Sequence, residues 1–313
     1  YIQVIKQITN HKDYSKCIRG WNMFAIIASC YSPSEKLFYC LLNYLLAEIK
    51  SNQDKEMVWH ANYVLMRLYK TYLNGNRRTI PYETEIVHIE QMKPMPITVY
   101  FFTGESVSTI IESYTTVKEL KNVIMRRNKF LPHRSSHYSL YEIRTEADSL
   151  QERFLEENER LSDVLSNWSK EMENAVQNSK KIEFKIFIKC QIYYNISEQD
   201  DDSINAIYTQ TLYDVITGKY NLSELDVIAL ASIQVLAQFG GNKDKANHDL
   251  LNNIDKYIPT NKRSTNHTVY WQQKIMELYC KFDVIPSIEA KLNYLDHIKD
   301  NPLWFAQQDR KSV

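Results

Sequence analysis

The sequence from residue 19 to residue 49 reads RGWNMFAIIASCYSPSEKLFYCLLNYLLAEI, and it decides the fold of the first part of the chain. Apolar residues recur at helical spacing on both sides of Ser32-Pro33, which predicts two amphipathic helices joined by a short break. Ser32 can cap the second helix, Pro33 suits its first position, and Glu35 would complete a capping box. We expect the two helices to pack as an antiparallel hairpin.

Helical spacing continues from this hairpin to about Gln91. The segment Lys93-Pro94-Met95-Pro96 then interrupts it, because a residue that precedes proline is pushed out of the helical region. A helical domain is therefore predicted over residues 1–94.

Beyond Pro94 the spacing of the apolar residues changes from that of helices to that of strands. Residues 97–102 and 107–113 read as two strands joined by a tight turn, and Thr116 with Glu119 forms a capping box for a helix. This order of elements is typical of the beginning of a ubiquitin-like α+β roll, which we predict over residues 95–195. Residues 152–168 read as a charged helix or a loop insertion within it.

The helical period returns near Asp200. Ser223 with Asp226 caps the clearest helix, which ends at Gly240-Gly241. Four helices predict a compact bundle over residues 196–300, whereas residues 301–313 are too few for a domain. The fold class is therefore multidomain and mainly α: a helical bundle, an α+β roll and a second helical bundle.

Four groups of residues carry a resemblance to known families: Arg19-Gly20-Trp21 with Pro33-Ser34, Gly75-Asn76-Arg77-Arg78 with Pro81, Thr115 to Leu120, and Asp163 to Trp168. The first two resemble the myosin tail homology 4 (MyTH4) domain, and the other two resemble the first lobe of a FERM domain. The bundle after Asp200 is similar to the second, acyl-CoA-binding-protein-like FERM lobe. Pro302 to Phe305 resembles the entry to the third lobe, most of which we expect to lie outside this sequence.

The resemblance implies the cargo-binding tail of an unconventional myosin of the class-seven type. Such a module is cytoplasmic and links an actin-based motor to adhesion receptors, actin regulators or microtubules, at the cytoskeleton, the cell cortex or filopodia. It can also restrain the protein's own motor domain in the absence of cargo. Two alternatives stay open: the tail of a plant-type kinesin with the same tandem, and a FERM scaffold that binds phosphoinositides without a motor.

A group of cations surrounds the Asn74-Gly75 turn, and its members are Arg67, Lys70, Arg77, Arg78 and Lys93. Converging guanidinium groups suit acidic peptides or acidic tubulin tails, because the planar fork pairs carboxylates bidentately. The alternative is a solvated surface that compensates the dipole at the end of a helix. If the cluster binds, charge reversal at Arg77 and Arg78 is expected to weaken binding without a folding defect.

A second group, Arg126, Arg127 and Lys129, follows the helix of the roll and is a candidate for phosphoinositides, hence for peripheral membrane contact. The chain as a whole has 38 basic and 38 acidic residues, so no global field draws it to nucleic acid or to a membrane.

Reactive chemistry has little support in the sequence. No glycine-rich phosphate loop occurs, and His133 and His137 have the spacing of metal ligands without further ligands to frame a zinc site. We therefore expect no cofactor, no metal and no enzymatic activity in this chain. Motor activity would belong to another part of the full-length protein.

Overall fold

A computed structural model describes residues 1–9, 11–127, 136–146, 149–191 and 201–304. The chain divides into two compact units, of which unit 1 comprises residues 1–100, 106–135 and 139–188. Unit 2 comprises residues 101–105, 136–138 and 189–313. The first helical region and most of the roll thus belong to one unit. The domain boundaries at 94, 195 and 300 stay predictions.

Five helices occupy the first part of unit 1 in the described residues: α1 (Ile2–Ile8), α2 (Tyr14–Cys30), α3 (Glu35–Ser51), α4 (Lys55–Asn74) and α5 (Glu83–Glu90). Their core includes the fully buried Phe24, Leu45 and Val64. Helix α4 packs against both α2 and α3. Since α2 and α3 make little direct backbone contact, the expectation of a two-helix hairpin is wrong.

The start of α3 also differs from the sequence prediction. The helix begins at Glu35 with Ser34 as its N-cap, and no side chain caps it. The Ser32 N–H donates instead to Asn76 Oδ1 at 2.6 Å, and Pro33 is buried before the helix begins. The expected capping box of Ser32 and Glu35 is therefore wrong, because the Ser32 backbone is engaged outside the helix.

The packing of α1 against α2 explains why the Arg-Gly-Trp motif has glycine at position 20. Helix α1 packs against α2, and a Cβ added to Gly20 would lie only 2.3 Å from Cγ2 of Ile8. Real Cβ atoms do not approach other atoms this closely, so only glycine lets the two helices approach to this distance. Trp21, the next residue, is 2% exposed and belongs to the core.

The roll contains the strands β1 (Met95–Tyr100), β2 (Ser106–Ile111), β3 (Tyr138–Glu146), β4 (Ser149–Phe154) and β5 (Ile182–Cys190), with the helices α6 (Val117–Arg127) and α7 (Leu161–Gln177). The strand order is β2-β1-β5-β3-β4. Strands β1 and β2 are antiparallel, as are β3 and β4, whereas β1 and β5 are parallel. The last strand in the chain is thus central in the sheet, which is why Ile186 and Ile188 are buried.

One prediction for the roll is confirmed and one is wrong. Thr116 and Glu119 form the capping box of α6: the Thr116 N–H donates to Glu119 Oε2 at 3.0 Å, and the Glu119 N–H donates to Thr116 Oγ1 at 3.3 Å. Residues 152–168 are neither a single helix nor a loop insertion. They contain the end of β4 and the beginning of α7, which continues to Gln177.

The described part of unit 2 contains five α-helices, α8 (Asp201–Ile216), α9 (Glu224–Phe239), α10 (Lys243–Asn253), α11 (Thr268–Tyr279) and α12 (Ser287–Ile298), and two short 3-10 helices (Ile254–Lys256 and Thr260–Lys262). Helix α9 packs against α10, α11 and α12, and its predicted capping box of Ser223 and Asp226 is present. The bundle has one α-helix more than the four predicted. Helix α10 escaped prediction because only Ala246 and Leu250 are buried along it.

The observed architecture confirms the predicted fold class, which is mainly helical with one small sheet. Within the residues that the structure describes, no helix is both long enough and apolar enough to cross a bilayer.

Candidate interaction site

The five cations predicted to form a binding cluster do not share one exposed surface. Arg67 is 2% exposed and Arg77 is 7% exposed, whereas Lys70 is half-buried and only Arg78 and Lys93 are exposed. The expectation that the guanidinium groups of the cluster converge at the surface is therefore wrong for Arg67 and Arg77, which are buried. These two have partners within unit 1.

Helix α4 directs Arg67 and Lys70 toward the residues that follow β2. The Arg67 guanidinium lies 3.4 Å from the ring centroid of Tyr63 and forms an ion pair with Glu112. Lys70 Nζ lies 3.1 Å from Glu119 Oε1. Both acids belong to the roll, so these cations join the helical region to the roll.

Arg77 forms the centre of a buried polar cluster between α5 and α7. Its Nε lies 2.7 Å from Asp163 Oδ1, and its guanidinium pairs with the Glu85 carboxylate. It also donates to Ser166 Oγ at 2.8 Å and to the Ser162 carbonyl at 3.1 Å. A buried guanidinium with this full set of acceptors is satisfied and unavailable to a partner.

Asp163 accepts more than the bond from Arg77. It also accepts the backbone N–H groups of Arg78 at 3.1 Å and Thr79 at 3.0 Å, and the Thr79 hydroxyl at 2.7 Å. Burial alone would raise the pKa of Asp163, but the Thr79 hydrogen bond and the Arg77 charge outweigh it and hold the pKa below its usual value. Glu85 differs, since burial outweighs the Arg77 charge and raises its pKa.

Arg160 adds a second buried guanidinium to the same region. It precedes α7 and donates to the carbonyl of Ser29 at 2.7 Å and to the carbonyl of Gly75. Burial and the nearby Arg77 charge lower its pKa. Together, Arg77 and Arg160 connect the segment after α4 and the end of α2 to the start of α7. The arrangement holds the helical region and the roll together and offers no reactive group.

Arg67 and Arg77 belong to the cationic group that the sequence predicts, whereas the sequence does not reveal their partners Glu85, Glu112 and Asp163 or the role of Arg160. The motif from Gly75 to Arg78 did indicate the segment in which the buried cluster lies. One sequence gives no signal that pairs an arginine with an acid 86 positions away.

The predicted lipid-binding residues lie at the C-terminal end of α6. Arg126 and Arg127 are exposed, and Arg127 Nη1 donates to the Ser108 carbonyl at 3.1 Å. Lys129 lies outside the described residues, as does His133. In the ranges that the structure describes, no group of three or more His, Cys, Asp or Glu residues could hold a metal ion.

Comparison with protein families assigns every region of this architecture. Residues 1–88 match the MyTH4 domain, residues 93–192 match the RA like domain, and residues 195–304 match the FERM central domain. The chain is therefore a MyTH4–FERM tandem, which confirms the resemblance seen in the sequence.

Relatives that match most of this chain are unconventional myosins. The chain is 25% identical to unconventional myosin heavy chain 6 of Caenorhabditis elegans, over 98% of this chain and 14% of that protein. It is 26% identical to Myosin-VIIa of Drosophila melanogaster, over 83% of this chain and 11% of that protein. The chain thus spans only a small part of these relatives.

Solved structures share the fold. The MyTH4–FERM MF1 domain of Dictyostelium discoideum myosin VII matches with a TM-score of 0.78 and 22% identity, over 100% of this chain and 64% of that one. The C-terminal MyTH4–FERM domain of human myosin 7b, solved in complex with the harmonin-a PDZ3 domain, matches with a TM-score of 0.69 and 21% identity. That match covers 98% of this chain and 61% of that one.

Proposed function

We propose that this chain is the cargo-binding and regulatory part of an unconventional myosin tail, which links an actin-based motor to partner proteins. The observation that carries the proposal is the match to unconventional myosins over nearly the whole of this chain. The harmonin complex of human myosin 7b adds an example of a protein partner. We further propose a cytoplasmic location at the cytoskeleton, the cortex or filopodia.

The buried clusters support a role as a firm platform. Arg67, Arg77 and Arg160 all connect the helical region to the roll within unit 1. A tail that connects a motor to cargo must transmit force without its parts separating, and a buried ion pair such as that of Arg77 with Asp163 resists separation because exposing one partner alone is costly.

Acidic partners remain part of the proposal, but with a smaller set of residues. Arg78 and Lys93 are exposed, and half-buried Lys70 is shared with Glu119. These cations are the available members of the predicted cluster for acidic receptor tails, actin regulators or tubulin tails. The same residues are candidates for the restraining contact with the motor domain.

Microtubule co-sedimentation tests this site directly. We expect the double variant Arg78→Glu with Lys93→Glu to bind microtubules less tightly than the unchanged chain, because repulsion replaces attraction to acidic tails. The double variant Lys36→Glu with Lys50→Glu on α3 is the control, since both lysines are exposed and the net charge changes by the same amount. Equal binding by all three proteins would reject the site, and no binding by the unchanged chain would reject microtubules as a partner.

A membrane scaffold is the second candidate, because Arg126 and Arg127 are exposed together at one helix end. Sedimentation with phosphoinositide vesicles separates the two proposals. Binding that Arg126→Gln with Arg127→Gln removes would favour the scaffold, and absence of vesicle binding would exclude it. The kinesin alternative is decided by the motor domain that the full-length gene encodes.

A further inference from the structure

A cavity of about 270 Å³ opens on the helical part of unit 1. It lies between the α1–α2 connection, the end of α3 and the start of α4. Pockets for drug-sized molecules usually have volumes of about 300 to 1,000 Å³. This cavity is smaller, so it suits a single side chain or a fragment of that size.

Three aromatic residues, Tyr14, Trp21 and Tyr44, line the cavity. Trp21 is buried and its ring stacks with Phe24 and His60, at centroid distances of 5.8 and 6.3 Å, so it forms the core side of the cavity wall. The Tyr14 hydroxyl donates to Glu56 Oε2 at 2.5 Å, which fixes its ring in place. Aromatic faces carry partial negative charge and attract cations.

Two carboxylates, Glu48 and Asp54, complete the lining. Glu48 Oε2 accepts a hydrogen bond from Asn52 Nδ2 at 3.1 Å, and Asp54 Oδ1 accepts the Glu56 N–H at 2.9 Å. Among the described residues no basic side chain forms an ion pair with either of them. Both therefore keep acceptor positions for a further donor.

The negative charge of these carboxylates reaches the interior of the cavity. Burial raises the pKa of the Cys17 thiol, and the charges of Glu48 and Asp54 raise it further. Two basic residues lie on the rim: Lys12, which is exposed and offsets one of the two negative charges, and His11, whose Nδ1 accepts the Asp13 N–H at 3.0 Å.

We propose that this cavity binds one organic cation, the ammonium or guanidinium end of a lysine or arginine side chain of a partner protein. The Tyr14 and Tyr44 rings pack beside the alkyl stem and the carboxylates accept the N–H donors, a combination that desolvated cations favour. The site goes beyond the function proposed above, where exposed cations contact acidic partners. It also stands independently of which motor the chain serves.

Methyl NMR of the whole chain, labelled at its methionine methyl groups, tests the proposal because Met57 lines the cavity. Met57→Leu assigns the signal. We expect a saturable shift of the Met57 methyl with n-butylammonium and with methylguanidinium, and none with n-butanol, which has the same stem without charge. Glu48→Gln and Asp54→Asn should each weaken n-butylammonium binding about tenfold, the size of one lost charge-assisted bond.

The variants are chosen to keep the fold. Asparagine at position 54 still caps α4, and glutamine at position 48 keeps its length. Glu35→Gln, at the opposite end of α3 from Glu48, is the matched control and should leave binding unchanged. Lys12→Gln should tighten binding, because it removes the opposing charge.

Four results would overturn the proposal: no saturable shift, equal response to n-butanol, unchanged binding in both carboxylate variants, or equal loss in Glu35→Gln. N-acetyl-lysine methylamide and spermidine distinguish a protein side chain from a free amine. Binding of the lysine derivative at least as tightly as spermidine supports a protein partner, and clear preference for spermidine contradicts it.

Discussion

Arg77 Nε lies 2.7 Å from Asp163 Oδ1, although 86 positions separate the two residues in the chain. The same carboxylate accepts the backbone N–H groups of Arg78 and Thr79. One buried acid therefore holds both the arginine side chain and the backbone that follows it. The contact joins the segment after α4 to the first turn of α7, where a negative charge also favours the helix dipole.

Removal of the Arg77 charge should destabilise the chain strongly. Arg77→Met leaves Asp163 and Glu85 buried without their cation, and loss of one partner from a buried pair costs about 3 to 5 kcal/mol. Urea unfolding of the whole chain measures the change. The neighbour Arg78→Met is the control, because its side chain is exposed and should change stability by no more than about 0.5 kcal/mol.

This prediction replaces the earlier expectation that charge reversal at Arg77 would leave folding intact. The burial of Arg77 among acceptors makes such a variant unsuitable as a test of binding. Equal stability of the Arg77→Met and Arg78→Met variants would show that the buried cluster contributes little.

Gly20→Ala should destabilise the contact between α1 and α2. The added methyl group would lie 2.3 Å from Ile8 Cγ2, and overpacking of this kind costs about 1 to 3 kcal/mol. The double-mutant cycle with Ile8→Ala isolates the clash, since truncation of Ile8 removes the atom that is hit. A cost for Gly20→Ala that persists in the Ile8→Ala background would indicate another cause.

His60 should make the chain less stable below neutral pH. It is 3% exposed, and burial lowers its pKa from the ordinary value of 6.5. As the pH falls below about 6.5 the unfolded chain takes up a proton that the folded chain does not, so the free energy of unfolding decreases. His60→Gln should lose less stability between pH 7.5 and pH 5, measured by urea unfolding in both buffers. Parallel loss in the two proteins would argue against this role of His60.

Thr116→Ala should weaken the start of α6. The Thr116 hydroxyl accepts the Glu119 N–H, and loss of a helix cap costs about 1 kcal/mol. Thr116→Ser keeps the acceptor and should restore most of that stability in thermal unfolding. If serine and alanine gave the same midpoint, the cap would be unimportant.

Local signals in the sequence are sufficient to predict much of the fold. The capping boxes at Thr116 and Ser223 rest on residues three positions apart, and both are present. The first part of β5 alternates between apolar and charged residues from Ile182 to Ile186, which is the pattern of a strand. The strand β4 was missed because it is mostly exposed, with no apolar alternation to mark it.

The site was harder to predict for a physical reason. Arg67 and Arg77 look like surface cations in the sequence, because nothing near them in the chain shows that Glu112 and Asp163 will neutralise them. Charge that is paired through tertiary contact leaves no periodic pattern. The segment could therefore be located from its sequence motifs, whereas the burial of its arginines could be recognised only in the structure.

Arg160 hydrogen-bonds to the main-chain carbonyls of Ser29 and Gly75. A carbonyl is present at every position of a polypeptide, so this contact imposes no chemical identity on the two residues it meets. The joint is therefore compatible with substitutions that leave the backbone path unchanged, a condition that the positive φ of Gly75 (82°) restricts mainly to glycine at that position. A junction of this kind suits a tandem whose relatives have retained only about a quarter of their residues in common with it.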